Sequence, residues 1–373
     1  MMWILLIASL LVMSALTVIQ TPREWFKKPI LRVALVAYHA IGVSSILLLL
    51  WGVHLMPNGF WREAIVWVET VYFTVTSYAL VFALIRYLCF SIALRFDKRK
   101  VITLLGSRGL FYGIVLTVSF LYLVPSIYNA VHLKSTPYEV DIDKACADES
   151  VRAVLLADFH VGAGATSYEL DQMTELVAEA NPDIVLIAGD VADSSSSVSD
   201  LEYLEQALQK MNPRYGIYYA EGNHERESRY DPEPYLERAG VTILKDEGIA
   251  LENGLNIVGR KNELKKSVSD IVNESGLDPN APLIVIQHKP KKLETLIGQT
   301  DLVVGGHTHG YQFPFLGMRE PLTNTVTCGY RKIGNSLQCV VTTGVSQWGY
   351  KEKWPSQSEI AVIDLNFAEV SES

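Results

Sequence analysis

Nine polar residues in the second half of this 373-residue chain have types and spacing that could do chemistry together: Asp158, His160, Asp190, Asn223, His224, Glu225, His288, His307 and His309. They follow apolar runs that read as β-strands, so a fold that aligned the strand ends would gather them. Two carboxylates, one amide and four imidazoles (Asp158, Asp190, Asn223, His160, His288, His307, His309) offer oxygen and nitrogen donors. Seven donors are too many for one tetrahedral site and suit two borderline divalent cations sharing a carboxylate. Two cations about 3.5–4 Å apart can clamp a phosphate, generate hydroxide near neutral pH and stabilise both ends of an in-line displacement. In Gly222-Asn223-His224-Glu225, His224 can donate a proton and Glu225 can hold it in its useful tautomer.

The elements that must position these residues read in order. Val151–Ala157 is a strand that delivers Asp158 and His160, and the period of two aims those side chains the same way. A helix over about Ser167–Ala180 and a strand over Ile184–Ala188 complete a parallel βαβ unit, which brings Asp190 to the edge that holds Asp158. Two carboxylates brought together there repel unless cations neutralise them. Ser194–Ser199 reads as a flexible loop before a helix over about Asp200–Met211. Gly216–Ala220 is the strand before the Asn223 turn, and Tyr235–Gly240 and Val241–Leu244 read as a helix and a strand. Leu255–Gly259, Leu283–Gln287 and Asp301–Val304 read as further strands, the last two leading to His288 and to Gly306-His307-Thr308-His309. Arg260, just past Val258-Gly259, could grip a substrate phosphate with its guanidinium fork or simply stand exposed in its loop.

The series Asp158-x-His160, Gly189-Asp190, Gly222-Asn223-His224-Glu225, His288 and Gly306-His307-x-His309 resembles the calcineurin-like metallophosphoesterase family over roughly Val151–Leu365. Within it, Gly306–Gln312 and Thr343–Gly349 are similar to the membrane-associated bacterial branch. The resemblance implies a two-sheet α/β sandwich with metals at the strand ends. It assigns Asp158, His160 and His309 to one metal and Asn223, His288 and His307 to the other, with Asp190 bridging. It also implies His224 as the acid that protonates the leaving oxygen and Glu225 as the residue that orients it. The metals expected are two divalent ions: manganese, iron or zinc. Two departures bear on substrate: Tyr311 replaces a glycine usual in that branch, and Trp354–Glu359 lacks an arginine often found there.

The front of the chain differs in kind. Trp3–Ile19, Val33–Leu55, Ile65–Phe90 and Leu110–Tyr128 are apolar runs near the ~20 residues that cross a bilayer core. Basic residues crowd the first loop (Arg23, Lys27, Lys28, Arg32) and the third (Arg95, Lys98, Arg99, Lys100, Arg108), but not the second. Four spans, with loops one and three in the cytoplasm and both termini outside, are therefore expected. Met1-Met2-Trp3 lacks the basic start of a cleaved signal peptide, so the first helix is expected to be retained. The division expected is 1–133 transmembrane, 134–150 tether and entry, and 151–373 metallophosphoesterase domain.

Charge follows that division. Up to His132 there are 11 basic and 4 acidic residues, and beyond it 21 basic and 37 acidic. An acidic second part argues against nucleic acid as partner, since that affinity comes largely from basic side chains meeting phosphates. If the domain lies outside, a Cys328–Cys339 bridge is allowed by compartment, although free thiols are the expected state. The expectation is thus a multi-pass plasma-membrane phosphoester hydrolase with an extracytoplasmic catalytic domain, and more narrowly a phosphodiesterase. Hydroxide generated between the cations attacks phosphorus on a membrane-proximal or lipid-linked substrate, and His224 is the general acid. The alternative is a membrane receptor or scaffold that keeps the domain as a metal- or phosphate-binding module with little turnover.

Overall fold

The computed structural model describes residues 27–51, 56, 59–310, 312 and 326–369. The chain divides into two compact units, Met1–Gly52 with Phe60–Ser126, and Val53–Gly59 with Ile127–Ser373. In the first unit, the described helices are α1 (Pro29–Trp51), α2 (Phe60–Arg95), α3 (Arg99–Gly106) and the start of α4 (Arg108–Val131). Helices α1 and α2 pack through Tyr38, whose hydroxyl lies 3.1 Å from Thr76 Oγ1 and whose ring is 5.0 Å from that of Tyr72.

Two helices among the described residues are long and apolar enough to cross a membrane, Phe60–Arg95 and Gly109–Val131. Large apolar side chains stay uncovered on both, including Tyr87 and Phe120 at 73% and 66% exposed. The second of the four expected spans is helical, but its apolar stretch, Arg32–Ser44, is shorter than a span. The first, Trp3–Ile19, lies outside the described residues. Among the described residues the four-helix expectation is thus supported at two spans and not confirmed at the other two.

The second unit holds twelve described strands in two six-stranded sheets. In chain order come β1 (Lys134–Ala145), β2 (Ser150–Leu156), α5 (Ser167–Ala180), β3 (Ile184–Ala188), α6 (Val198–Gln209), β4 (Ile217–Ala220), α7 (Glu233–Arg238) and β5 (Val241–Ile243). There follow β6 (Glu247–Ala250), β7 (Asn256–Gly259), α8 (Val268–Glu274), β8 (Leu283–Ile286), β9 (Leu302–Gly305), β10 (Gly329–Ile333), β11 (Leu337–Val341) and β12 (Glu359–Ala368). The first sheet runs β1-β12-β2-β3-β4-β5 and the second β10-β11-β9-β8-β7-β6. Strands β2 to β5 pair in parallel, as do β7, β8, β9 and β11.

The period of two divides each strand between two cores. Ala153 and Leu155 face inward with Ile184, Leu186, Ile284, Ile286, Leu302 and Val304, filling the space between the sheets. Val154, Leu156, Val185 and Ile187 face outward onto Leu170, Met173 and Val177 of α5 and Leu201 and Leu204 of α6. On the other side, Val258, Val285 and Val303 pack with Val268, Ile271 and Val272 of α8. The result is four layers: helix, sheet, sheet, helix.

Two expectations change. The stretch expected as a tether is the edge strand β1, paired in parallel with β12 from Lys134↔Glu359 onward. Its alternating burial, with Val140 and Ile142 reaching the inter-sheet core, explains why a sequence mixing Pro137 with charged residues still forms a strand. The serine run 194–199 is not a loose loop: Ser196 is fully buried, and Ser197 forms a reciprocal capping box with Asp200 that starts α6. The four cysteines are free. Arg331 pairs with Cys339 across the β10–β11 hairpin, so Cys328 lies three residues out of register with it.

Candidate dinuclear metal centre

Both sheets end their parallel strands at one place, and the turns there carry the polar residues. Five of them, Asp158, His160, Asp190, His307 and His309, have φ between 46° and 75°. This left-handed region is uncommon for residues with a Cβ and clusters where function imposes it. The turns also approach one another too closely for side chains: a Cβ on Gly222 would fall 2.1 Å from Asp190 Oδ1, and one on Gly306 2.5 Å from Asp158 Oδ2.

Two groups of donors result. Asp158, His160 and His309 form one and Asp190, His288 and His307 the other, with ligand atoms in each within 4.8 Å of one another. His160 Nε2 and His309 Nε2 are 3.3 Å apart, and His309 Nε2 is 3.8 Å from Asp158 Oδ1. In the second group His288 Nε2 is 3.0 Å from Asp190 Oδ2, and the His288 and His307 rings are 5.0 Å apart.

Asp190 joins the groups. Its Oδ1 accepts from Asn223 N and His224 N at 2.7 and 2.8 Å, which fixes the carboxylate. Its Oδ2 has no hydrogen-bond donor and sits 3.0 Å from His288 Nε2 and 3.8 Å from His160 Nε2. Asn223 Oδ1, in the turn whose backbone N holds Asp190 Oδ1, is likewise buried without a donor.

The outer nitrogens of the histidines set which nitrogens face inward. His288 Nδ1 donates to Ala188 O at 2.7 Å, leaving Nε2 as the nitrogen that faces Asp190 Oδ2. His160 Nδ1 is held by Asp193 Oδ2 at 3.1 Å. Carboxylate and imidazole donors buried this close together are of the mix that suits two divalent cations. Burial lowers the His307 imidazole to about 3, helped by the charge of His288, so His307 is neutral and able to ligate. Burial likewise holds His309 well below its ordinary value, with His160 adding to the effect. Burial would lower His288 too, but the Asp190 charge carries it up to about 9. Burial raises the Asp158 carboxyl to about 6.

His224 lies beside this centre, its ring 5.0 Å from that of His160 and 5.6 Å from that of Trp348. The expected partner is corrected here. Glu225 accepts from Val191 N at 2.7 Å and Gly222 N at 3.0 Å, so it ties the turn after β4 to the turn after β3. Burial and the nearby Asp190 charge push its carboxyl up to about 8. The carboxylate on His224 Nδ1 is that of Glu227, at 3.0 Å. A short 3-10 turn over Glu225–Glu227 turns Glu225 away from the imidazole and brings Glu227 onto it.

Arg260 is also placed differently from either reading offered by sequence. It is buried, and its guanidinium donates to Gln287 Oε1 at 2.6 Å and Lys266 O at 2.7 Å. It supports the residue before His288 instead of gripping a phosphate. Three further residues escaped the sequence reading. Asp193 and Glu227 each stand three residues past a candidate, at Asp190 and His224, and that spacing was the available signal. Lys353, fully buried, donates to Thr343 O and Ser346 O at 2.8 Å each and braces the loop whose Ser346 N bonds Asp158 O. Burial lowers its ammonium to about 7. Tyr311 lies outside the described residues.

Residues 151–311 match the family described as calcineurin-like phosphoesterase. An uncharacterized metallophosphoesterase of Helicobacter pylori is 29% identical over 244 residues, covering 62% of this chain and 63% of that protein. A Danio rerio transmembrane protein with metallophosphoesterase domain is 28% identical over 269 residues, covering 66% of this chain and 61% of that protein. The matched part thus spans less than two thirds of the length of these relatives. Among solved structures, a dimetal phosphatase from Danio rerio is 11% identical, with a TM-score of 0.36 over 53% of this chain and 88% of that one. With the matched segment running from the strand before Asp158 through His309, this chain carries a calcineurin-like metallophosphoesterase domain.

Proposed function

We propose that this chain is a membrane-anchored, metal-dependent phosphoester hydrolase that cleaves phosphodiesters. The observation that carries the reading is the pair of buried donor groups on either side of the unbonded Asp190 Oδ2. Asp158, His160 and His309 would hold one divalent cation (manganese, iron or zinc) and Asn223, His288 and His307 another, with Asp190 shared. Such cations supply charge neutralisation on phosphoryl oxygens and lower the pKa of a water.

The chain's own residues do the rest. Asp190 is oriented by two backbone amides, so its free oxygen stays between the groups. His224 is the proton donor to the leaving oxygen. Burial alone would lower its pKa, but the Glu227 hydrogen bond and the charges of Asp190 and Glu227 raise it, which favours the protonated form. With Nδ1 engaged by Glu227, Nε2 is the nitrogen left to give the proton.

Anchoring rests on the two spanning candidates and on relatives named as transmembrane proteins. The multi-pass topology, the plasma membrane and an extracytoplasmic domain follow from the loop charges and belong to the same proposal, as does a membrane-proximal or lipid-linked phosphate as substrate. The test is hydrolysis of bis-p-nitrophenyl phosphate and p-nitrophenyl phosphate by the full chain in detergent with Mn²⁺, beside Asp190→Asn. The reading expects metal-dependent cleavage, faster on the diester and lost in the variant. Absence of turnover by a folded, metal-loaded chain would favour a binding module.

A further inference from the structure

One large side chain beside the proton donor has no part in the chemistry described above. Trp348 is half-buried, and its ring centroid lies 5.6 Å from that of His224 with the two planes inclined at 30°. The ring of His160 meets the same imidazole at 5.0 Å but crosses it at 75°. Among the described residues, the ring neighbours of His224 are thus one donor of the candidate metal centre and one indole. The indole is carried on a backbone that is clamped from behind. Gln312, itself buried, donates from Nε2 to Trp348 O at 2.8 Å and accepts from Trp348 N through Oε1 at 3.3 Å. Gln312 N in turn donates to His309 O at 3.2 Å, so one buried amide ties Trp348 to the turn of a candidate metal ligand.

The same loop is braced on either side of the tryptophan. Lys353 donates to Ser346 O, two residues before it, and Lys351 to Gly164 O in the loop that follows His160. A side chain that departs from so fixed a backbone costs less to order against a ligand. Distance decides what that side chain can meet. A general acid works within about 2.6–3.2 Å of the oxygen it protonates. The atoms bonded beyond that oxygen therefore fall within reach of an indole whose centre is 5.6 Å from the ring of the acid. An indole face offers them dispersion and offset stacking, which favour a flat ring over a short alkyl chain.

We propose that Trp348 is a specificity-determining residue that receives the leaving alcohol, and that this alcohol carries a flat ring next to the ester oxygen. The assignment rests on the hydrolase reading for which oxygen leaves, but recognition of the ring is testable by binding alone. The full chain in detergent, with Mn²⁺ in excess, is titrated calorimetrically with benzylphosphonate and with methylphosphonate, whose P–C bonds resist hydrolysis. The native chain is expected to bind the benzyl compound about tenfold more tightly, the scale of one aromatic contact. Trp348→Ala should abolish that preference, and Trp348→Phe should retain most of it. Equal affinities in the native chain, a preference that survives in the alanine variant, or equal loss of both ligands there would each overturn the assignment. Repeating the titration with the methylene phosphonate analogue of glucose 1-phosphate separates a sugar ring from an aromatic one. In turnover, benzyl methyl phosphate offers two alcohols to one site in competition. The native chain should release benzyl alcohol over methanol by a similar factor, and Trp348→Ala should bring the two towards equality whatever its overall rate. Equal release by the native chain would contradict the placement of the ring on the leaving side. Hydrolysis of bis-p-nitrophenyl phosphate, lost in Asp190→Asn, is scored separately. A failed preference with intact hydrolysis therefore strikes only the role of Trp348, and a binding preference without turnover strikes only the hydrolase.

Discussion

Asp193 and Glu227 do at the residue scale what the nine starting candidates cannot do for themselves. Each holds the outer nitrogen of a histidine, Asp193 on His160 and Glu227 on His224, and so decides which nitrogen faces the centre. Asp193→Asn is expected to weaken metal affinity roughly 10–100-fold, the usual cost of losing such a partner, read by competition with a chelator. Glu227→Gln should act on proton donation instead. Its carboxylate raises the His224 pKa, and in the proposed function the protonated imidazole is the active form, so the variant should move the basic limb of the pH–rate profile to lower pH. Its kcat should fall about tenfold, well short of the roughly 10²–10⁴-fold expected on removing the acid itself. An unchanged profile would mean that Glu227 only shapes the turn.

At the scale of elements, the site depends on turns that only certain backbones can make. Gly222→Ala would drive a Cβ into Asp190, so the variant should keep its helical and sheet signal by circular dichroism while losing metal. The loops behind the turns are anchored by buried charge. Lys351 Nζ donates to Glu169 Oε1 and to Gly164 O at 2.5 Å each, joining the C-terminal loop to the first turn of α5. Burial would raise the Glu169 carboxyl, but Lys351 and the Thr166 hydrogen bonds bring it below its ordinary value of 4.5. A depressed folded pKa contributes stability that is present above the unfolded value and is lost as pH falls through the folded one. Glu169→Gln should therefore cost roughly 3–5 kcal/mol at neutral pH, with the difference from native shrinking below about pH 4.5 in thermal melts.

These elements also show what a sequence can reveal. Ile184–Ala188 and Ser167–Ala180 were legible because continuous apolar runs and a capping box are local signals. The edge strand Lys134–Ala145 was not, because its partner β12 lies more than two hundred residues later and only pairing gives its mixed pattern a face. The donor residues were legible as strand-end motifs. Glu225 was assigned the wrong contact because a three-residue 3-10 turn decides which of two glutamates meets His224. Arg260 was misread because its burial depends on Gln287, a neighbour across the sheet.

At the scale of the whole molecule, the chain joins apolar helices, two of them among the described residues long enough to span a bilayer, to an acidic part whose residues 151–311 match the calcineurin-like phosphoesterase family. The loop charges predict that reporter fusions after Asp97 and at Ser373 lie on opposite sides of the membrane, and the same side for both would contradict the four-span topology. The central claim is that the strand-end residues hold two cations around Asp190. Its most direct measurement is metal content by mass spectrometry of the purified full chain and of Asp190→Asn. Two divalent ions per native chain, falling to one or none in the variant, is the predicted result. One ion or fewer in the native chain after manganese loading, or an undiminished two in the variant, would contradict the account.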